Sequence, residues 1–593
     1  LLDGCGPGDS APLLPPVDPR CPASTVSVDT LSFHGDRART GWQRSESVLT
    51  PASLSTSSFG WLWDSEPLDA AAIGGITYRP RLYASPLYVD DVTIAGGVHA
   101  GVTASVVVVA TSNAWVYAVN ACDPGIGSAG IPAGTVLWRT RLGEPAIAPG
   151  LDGGVPVGVL GTPLIDREGF PPRVYVASAS DVWGWQVFAL DLRDGLILPG
   201  WPITVDDAAL GPINRNGPAV FRAATAMSQR GALNLSPDRA ILYVPFGSYQ
   251  DGGTGWLVAV DTLKARLAAA FSSAPAGAAT ANGGIWAPGG PAVDDDGTVF
   301  ATTGNSPASS AAAPAVWGDS LLRWTADLRL AGTYTPFNYC QLDVADADLG
   351  GSSPVLLPDI ERGTTLTPRL VAFGGKQGNV YLLGRDRLPG RVDARPPCSA
   401  DSASDPSLLA PDPQPQFEAR GPLNVFGPYT ESYGNGDYAK MRTTPSFFRD
   451  AAGERYLFVT GATKAAADSK QSVPPGLARL RIVVAADAQP FLTVDAALPA
   501  VTFVNPGSPV ITSAGSDGAL VWVLDENAPR SASLLDDRTA KPVLHAIDAT
   551  TMEPVWRSAP GLLHGGGKYG TPAVAHGFVF VGTDRVQAFG LRP

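Results

Sequence analysis

Short apolar runs of strand length recur along the chain, each opened by a small residue and a proline and closed by a Gly or Asp turn, while helical spacing of apolar positions is nearly absent. The opening landmark stands at Ser85-Pro86, Thr162-Pro163, Gly290-Pro291, Ser353-Pro354, Thr444-Pro445, Ser508-Pro509 and Thr571-Pro572, with a degenerate copy near Gly231-Ala232, which makes eight units. Proline at the first position of a strand removes no ladder hydrogen bond, so its recurrence marks register rather than chemistry. Strand pairs follow the landmarks: residues 106–109 with 115–119, 174–177 with 186–190, 241–245 with 256–260, 299–302 with 320–324, 370–373 with 379–383 and 578–581 with 586–589. The pattern predicts an all-β, eight-bladed β-propeller over residues 26–593, preceded by an extended Pro- and Gly-rich tail over residues 1–25. Only 21 residues follow Pro572, too few for a four-stranded blade, so the last blade is expected to borrow its outer strand from the N-terminal side, at residues 59–63.

Composition agrees with a large β core: 67 Gly and 55 Pro among 593 residues, 45% hydrophobic and 16% charged, which excludes disorder and coiled coil. Forty-two Lys and Arg against 55 Asp and Glu leave a net charge of −13, the wrong sign for a non-specific nucleic-acid binder that works by counterion release. No run approaches the roughly 18 to 20 apolar residues of a spanning helix. The chain opens at Leu1 without an initiator Met, as in a precursor whose signal segment has been removed, and export is the expectation. Leu2-Asp3-Gly4 ahead of Cys5 loosely resembles the bacterial lipobox, which would make Cys5 a lipid anchor and the chain's tie to a membrane. Cys21, Cys122, Cys340 and Cys398 then remain for two disulfides in an oxidising compartment. Three connectivities are open, with Cys340–Cys398 and Cys21–Cys122 the nearest neighbours along the chain and free buried thiols the alternative.

Two stretches, Val116-Tyr117-Ala118-Val119-Asn120 with Leu137-Trp138-Arg139, and His545-Ala546-Ile547-Asp548 with Val555-Trp556-Arg557, together with Phe188-Ala189-Leu190-Asp191, resemble blade ends of the pyrroloquinoline quinone (PQQ) repeat superfamily. In that family the tryptophans dock neighbouring blades. Further stretches, Arg37-Ala38-Arg39-Thr40-Gly41, Ala84-Ser85-Pro86-Leu87-Tyr88-Val89, Gly284-Ile285-Trp286, Thr303-Gly304-Asn305, Asp348-Leu349-Gly350 and Gly375-Lys376-Gln377-Gly378, are similar to exported bacterial PQQ-like propeller proteins of unknown function. The resemblance to the catalytic relatives, quinoprotein alcohol dehydrogenases, implies roles for individual residues. Trp286 would be the platform under the quinone, Asn305 an oxygen ligand of the Ca²⁺ ion, Asp348 the catalytic carboxylate and Lys376 the cation at the quinone oxygens. The sequence also departs from that family. Its glutamate ligand falls on Gln250, with Asp251 beside it as the substitute metal ligand, no vicinal Cys-Cys pair exists, and Gly350 stands where lanthanide-using relatives carry an acidic residue.

These departures point to a non-catalytic propeller, a binding or assembly subunit of an extracytoplasmic complex in the periplasm, at the outer membrane or on the cell surface, whose partners are other proteins. Its contact surfaces are expected in insertions at residues 398–438 and 464–504. The alternative is a PQQ- and calcium-dependent alcohol or sugar dehydrogenase that passes electrons to a cytochrome. A third reading, a polysaccharide-binding propeller with Trp183 and Trp185 exposed, rests on composition. The five histidines, His34, His99, His545, His564 and His576, show no metal-ligand spacing, and Asp294-Asp295-Asp296-Gly297 reads as a β-turn.

Overall fold

The computed structural model describes residues 28–55, 58–122, 130–148, 155–179, 184–222, 227–248, 252–275, 283–306, 315–336, 338–376, 378–398, 424–426, 441–461, 476–498, 501–527 and 541–592. Among the described residues, beside two two-stranded hairpins, eight sheets of four or five strands succeed one another along the chain as blades. Their inner strands are Leu87–Thr93, Leu164–Asp166, Asn234–Leu235, Ala292–Val293, Val355–Leu356, Ser446–Arg449, Val510–Ala514 and Ala573–Ala575. Each begins one or two residues after a landmark, the proline-free degenerate copy included, so the landmark does mark where each blade enters the axis. The inner strand starts at one face, which we call the mouth, and the chain returns there between the second and third strands and between blades.

Ring closure follows the sequence expectation. Phe59–Asp64 pairs antiparallel with Val586–Leu591 as the outer strand of blade 8. Burial on both sides of most strands reflects blades packed face to face, and this explains near-continuous apolar runs such as Thr103–Ala110. Trp138 of blade 1 docks on blade 2, its Nε1 donating to Leu192 O at 2.9 Å. Trp556 of blade 7 meets Phe59 of blade 8 edge-on at 4.8 Å.

Residues 28–46 do something the pattern did not announce: they wind across the axis and touch all eight blades. Thr30 bridges Tyr88 of blade 1, and Leu31 O accepts from Ile165 of blade 2 at 2.8 Å. Arg37 O takes Asn234 Nδ2 of blade 3 and the Val293 N–H of blade 4, both at 2.9 Å. Ala38 O and Thr40 O accept from Leu356 of blade 5 and Phe447 of blade 6, each at 2.8 Å. Trp42–Gln43 then adds a parallel strand to blade 7, and Glu46 accepts the Gly577 N–H of blade 8 at 2.9 Å. Arg39, fully buried in this plug, donates to Leu233 O at 2.7 Å, Phe33 O at 3.0 Å and Pro291 O at 3.2 Å.

Three expectations are corrected. Much of residues 464–504 is not an insertion, because Leu477–Val483 and Phe491–Ala497 are the third and outer strands of blade 6. Within 398–438, Asn424–Phe426 is the outer strand of blade 5. Trp185 is wholly buried, edge-on to Phe246 at 5.6 Å, and Trp183 lies outside the described residues, so this pair offers no exposed platform. Cys340 and Cys398 form a disulfide with Cα atoms 6.0 Å apart, and Cys122 is disulfide-bonded as well. The tail, with Cys5 and Cys21, lies outside the described residues.

Candidate functional site

Four of the residues singled out by sequence come together at the mouth, on blades 4 and 5. Trp286 lies in the connection entering blade 4, and Asn305 follows that blade's second strand, Val299–Thr302. Asp348 closes the connection into blade 5, just after the short helix Tyr339–Val344, and Lys376 follows the second strand of that blade, Leu370–Phe373. Glycines let the backbones close around the indole. A Cβ on Gly247 would stand 2.8 Å from the Trp286 Cβ, one on Gly304 2.8 Å from its Nε1, and one on Gly351 3.4 Å from its Cη2.

Charge is the organising feature. The Lys376 ammonium, 5.2 Å from the Trp286 ring centroid, pairs with Asp348 Oδ2 and lies 2.6 Å from Asp346 Oδ1. The other Asp348 oxygen accepts the Asn305 N–H at 3.0 Å, and the Asn305 amide donates to Asp346 at 3.3 Å. Burial opposes the charge on Lys376, but Asp348 and Asp346 outweigh it and hold the ammonium above the ordinary lysine value. Beneath them Asp319 is fully buried, one oxygen accepting the Leu349 N–H at 2.9 Å. Burial, reinforced by the neighbouring charge of Asp348, pushes its carboxyl well above the carboxylate range.

Sequence reasoning missed the opposite side of the mouth. The Arg230 guanidinium stacks 4.3 Å from the Tyr569 ring and 5.9 Å from that of Trp286, bridging blade 8 to the connection entering blade 4. Near them Glu526 is buried, its Oε1 without a hydrogen-bond partner, and burial followed by repulsion from Asp525 pushes it up to about 8. A signal was present: Tyr83, Arg442 and Tyr569 each stand three residues before a landmark proline, and Arg230 directly precedes the degenerate copy.

The residues present fit one half of a quinone and calcium site. The glycine-cradled indole suits a flat ligand, and Asn305 Oδ1 is buried without a donor, as a cation ligand would be. The ion half does not fit. Both Asp348 oxygens already have partners, and a Cβ on Gly350 would come within 2.5 Å of the Gly304 nitrogen, so no acidic side chain can enter there. Among the described residues no group of three or more His, Cys, Asp or Glu could hold a metal, and Asp251, like Gln250, lies outside them. At the other end of the axis a funnel of about 1220 Å³ is walled by Arg37, Arg239, Arg369 and Arg385, each paired with aspartates. Asp294–Gly297 there is the expected β-turn, with Gly297 N–H donating to Asp294 O at 3.0 Å.

No family model matches the chain, and no curated protein matches its sequence. Among solved structures, a europium-containing methanol dehydrogenase superposes with a TM-score of 0.53 at 14% identity, covering 93% of this chain and 89% of that one. Sqt1 of Saccharomyces cerevisiae gives a TM-score of 0.39 at 8% identity over 90% of this chain and 100% of its own. The C-terminal WD40 domain of Sif2 gives 0.40 at 7% over 87% and 99%. The first likeness shows the propeller fold and nothing finer.

Proposed function

We propose that this chain is an extracytoplasmic propeller acting as a non-catalytic binding or assembly subunit. One observation carries the reading: the carboxylate in the catalytic position, Asp348, is buried with both oxygens engaged, one by Lys376 and one by the Asn305 N–H. Each oxygen of such a carboxylate must share or give up an existing donor before it can take a substrate proton. The disulfides support an oxidising compartment. The test is titration of the purified protein with PQQ and Ca²⁺, following tryptophan fluorescence and quinone absorbance, beside Trp286→Ala. Absence of binding is expected; tight calcium-dependent binding that disappears in the variant would overturn the proposal. For the partner, deletion of residues 399–423 is expected to leave the propeller folded and abolish association, and retained association would count against a contact there.

A second reading, a PQQ-dependent dehydrogenase, is favoured by the convergence of Trp286, Asn305, Asp348 and Lys376 from separate segments. Under it Asp348→Ala would abolish dye-linked alcohol oxidation without unfolding the chain.

A further inference from the structure

Residues 390–398 leave blade 5 and run along the outer edge of blade 4 as a strap. The Gly390 N–H donates to Thr333 O at 2.7 Å, and Thr333 Oγ1 donates back to Arg391 O at 2.6 Å. The Ala315 N–H donates to Asp393 O at 3.1 Å, and Arg395 Nη1 donates to Gly318 O at 3.0 Å. The Arg395 guanidinium lies 4.2 Å from the Tyr339 ring, whose hydroxyl donates to Pro396 O at 3.1 Å, and the Cys340–Cys398 disulfide closes the strap.

The strap therefore holds two pieces of the mouth. One is the turn that ends in Asp319; the other is the helix Tyr339–Val344, whose exit delivers Asp346 and Asp348 to Lys376. Asp319 joins them by accepting the Leu349 N–H. That helix has six residues, buries only Tyr339 and Leu342, and has no side-chain hydrogen bond at its N-cap. So short a helix is not stable by itself and depends on what ties it down. Neither cysteine is fully buried.

We propose that Cys340–Cys398 is a redox latch on the mouth, opened by a dithiol reductant, which frees the Tyr339–Val344 helix and loosens Asp346 and Asp348 from Lys376. One thiolate of the reductant attacks a protein sulfur and expels the other as a thiolate; the second reductant thiol then attacks the reductant sulfur of this mixed disulfide, closing the reductant's own S–S bond and releasing the attacked protein sulfur as the second thiolate. Two electrons and two protons pass to the protein, which gains two thiols while the dithiol leaves as its disulfide. The proposal is independent of whether the mouth holds a cofactor.

The experiment reads Lys376 directly, by mass spectrometry after brief treatment with an amine-acylating reagent, with the exposed Lys264 as internal standard. Hydrogen exchange over residues 339–351 is followed in parallel. In the oxidised protein Lys376 is expected to stay unlabelled. After reduction of the folded wild type, and in the Cys340→Ser/Cys398→Ser variant, both labelling of Lys376 and exchange of 339–351 are expected to quicken on the order of tenfold or more, with the inner strands of blades 1 and 2 unchanged. Reoxidation of the wild type should restore protection. Unchanged Lys376 labelling overturns the proposal, as does labelling that rises only in the reduced wild type, which would assign it to the Cys122 bond. Loss of protection in all blades together would make the bond a general staple and overturn it too; if the variant does not fold, the reduced wild type decides.

Discussion

Replacing Arg39 by Met tests whether the axial plug holds the ring together. The guanidinium is fully buried and reaches four carbonyls: Leu233 O and Pro291 O of blades 3 and 4, and Phe33 O and, at 3.5 Å, Asp36 O of the plug itself. Burial lowers its pKa to about 9, with Asp36 opposing the shift, so it remains a cation at neutral pH. Pro291 O keeps a second donor in Asn234 Nδ2 at 2.9 Å, whereas Leu233 O and Phe33 O rely on Arg39. Two stranded carbonyls cost about 1–3 kcal/mol each. Relief from burying a charge offsets part of this, leaving a loss of about 2–4 kcal/mol. Methionine keeps the length of the chain and inherits the same left-handed backbone, φ 66°, so strain does not enter the difference. Urea unfolding followed by tryptophan fluorescence measures the loss, and hydrogen exchange should show it first in the inner strands of blades 3 and 4. A midpoint shift worth less than about 1 kcal/mol would refute the claim that the plug's buried cation is structural.

Three further outcomes are expected. Glu526→Gln should flatten a pH dependence: below pH 4.5 both folded and unfolded states are protonated, but from there to about 8 only the unfolded state loses its proton, so wild-type stability falls as pH rises. The loss totals roughly 3–5 kcal/mol by pH 9, and pH-resolved unfolding curves that run parallel in the two proteins would show that this carboxyl is not a buried acid. Gly350→Ala would force the Thr303–Gly304 backbone away from a Cβ placed at 2.5–2.6 Å, breaking the contact from the Asn305 N–H to Asp348 and costing about 1–3 kcal/mol; wild-type thermal stability and Trp286 fluorescence would contradict that close approach. Phe59→Ala removes the ring that seals blade 8 against Trp556 and Trp522 and should cost about 3–5 kcal/mol, with exchange protection lost first across Phe59–Asp64.

What could be read from the chain was what repeats. Pro86, Pro163 and their counterparts announce inner strands because proline is tolerated only where no ladder donor is needed, a local rule that holds in seven blades, blade 3 carrying Ala232 instead. The borrowed strand at Phe59 was legible by shortage, since the residues after Pro572 cannot make a blade. Leu477–Val483 does alternate, with Arg479 and Arg481 on the face opposite buried Ala478, Leu480 and Ile482, but the charged face it shares with Phe491–Ala497, where Arg479 pairs Asp495, made the stretch read as an exposed insertion. The plug was illegible for a different reason: most of its ties are backbone hydrogen bonds to partners far along the chain, which impose no periodicity on Val28–Glu46. At the mouth, Trp286, Asn305, Asp348 and Lys376 were found through resemblance; Arg230 carried a positional signal just before the degenerate landmark, whereas Asp319 and Glu526 carried none, because their character comes from burial and neighbours rather than from spacing.

The two ends of the axis now constrain what the mouth can bind. The plug crosses the channel with contacts to every blade, so a ligand reaching Trp286 must come from the mouth side. There it meets an ammonium already committed to two carboxylates and a carboxylate already committed to that ammonium. Separating a buried pair costs about 3–5 kcal/mol when one partner is left alone. An uncharged planar molecule stacking on the indole cannot offset that and would leave the pair intact. A ligand that displaces Lys376 must instead bring its own oxygen for the ammonium, together with a donor or cation for Asp348. The same logic bears on Asp319: burial and then the charge of Asp348 push its carboxyl well above the carboxylate range, which disfavours a further negative charge beneath the pair that Lys376 makes with Asp346 and Asp348. Opening the Cys340–Cys398 strap would weaken that pairing from the carboxylate side, which is why Lys376 reactivity, rather than overall stability, is the quantity that distinguishes a latch from a staple.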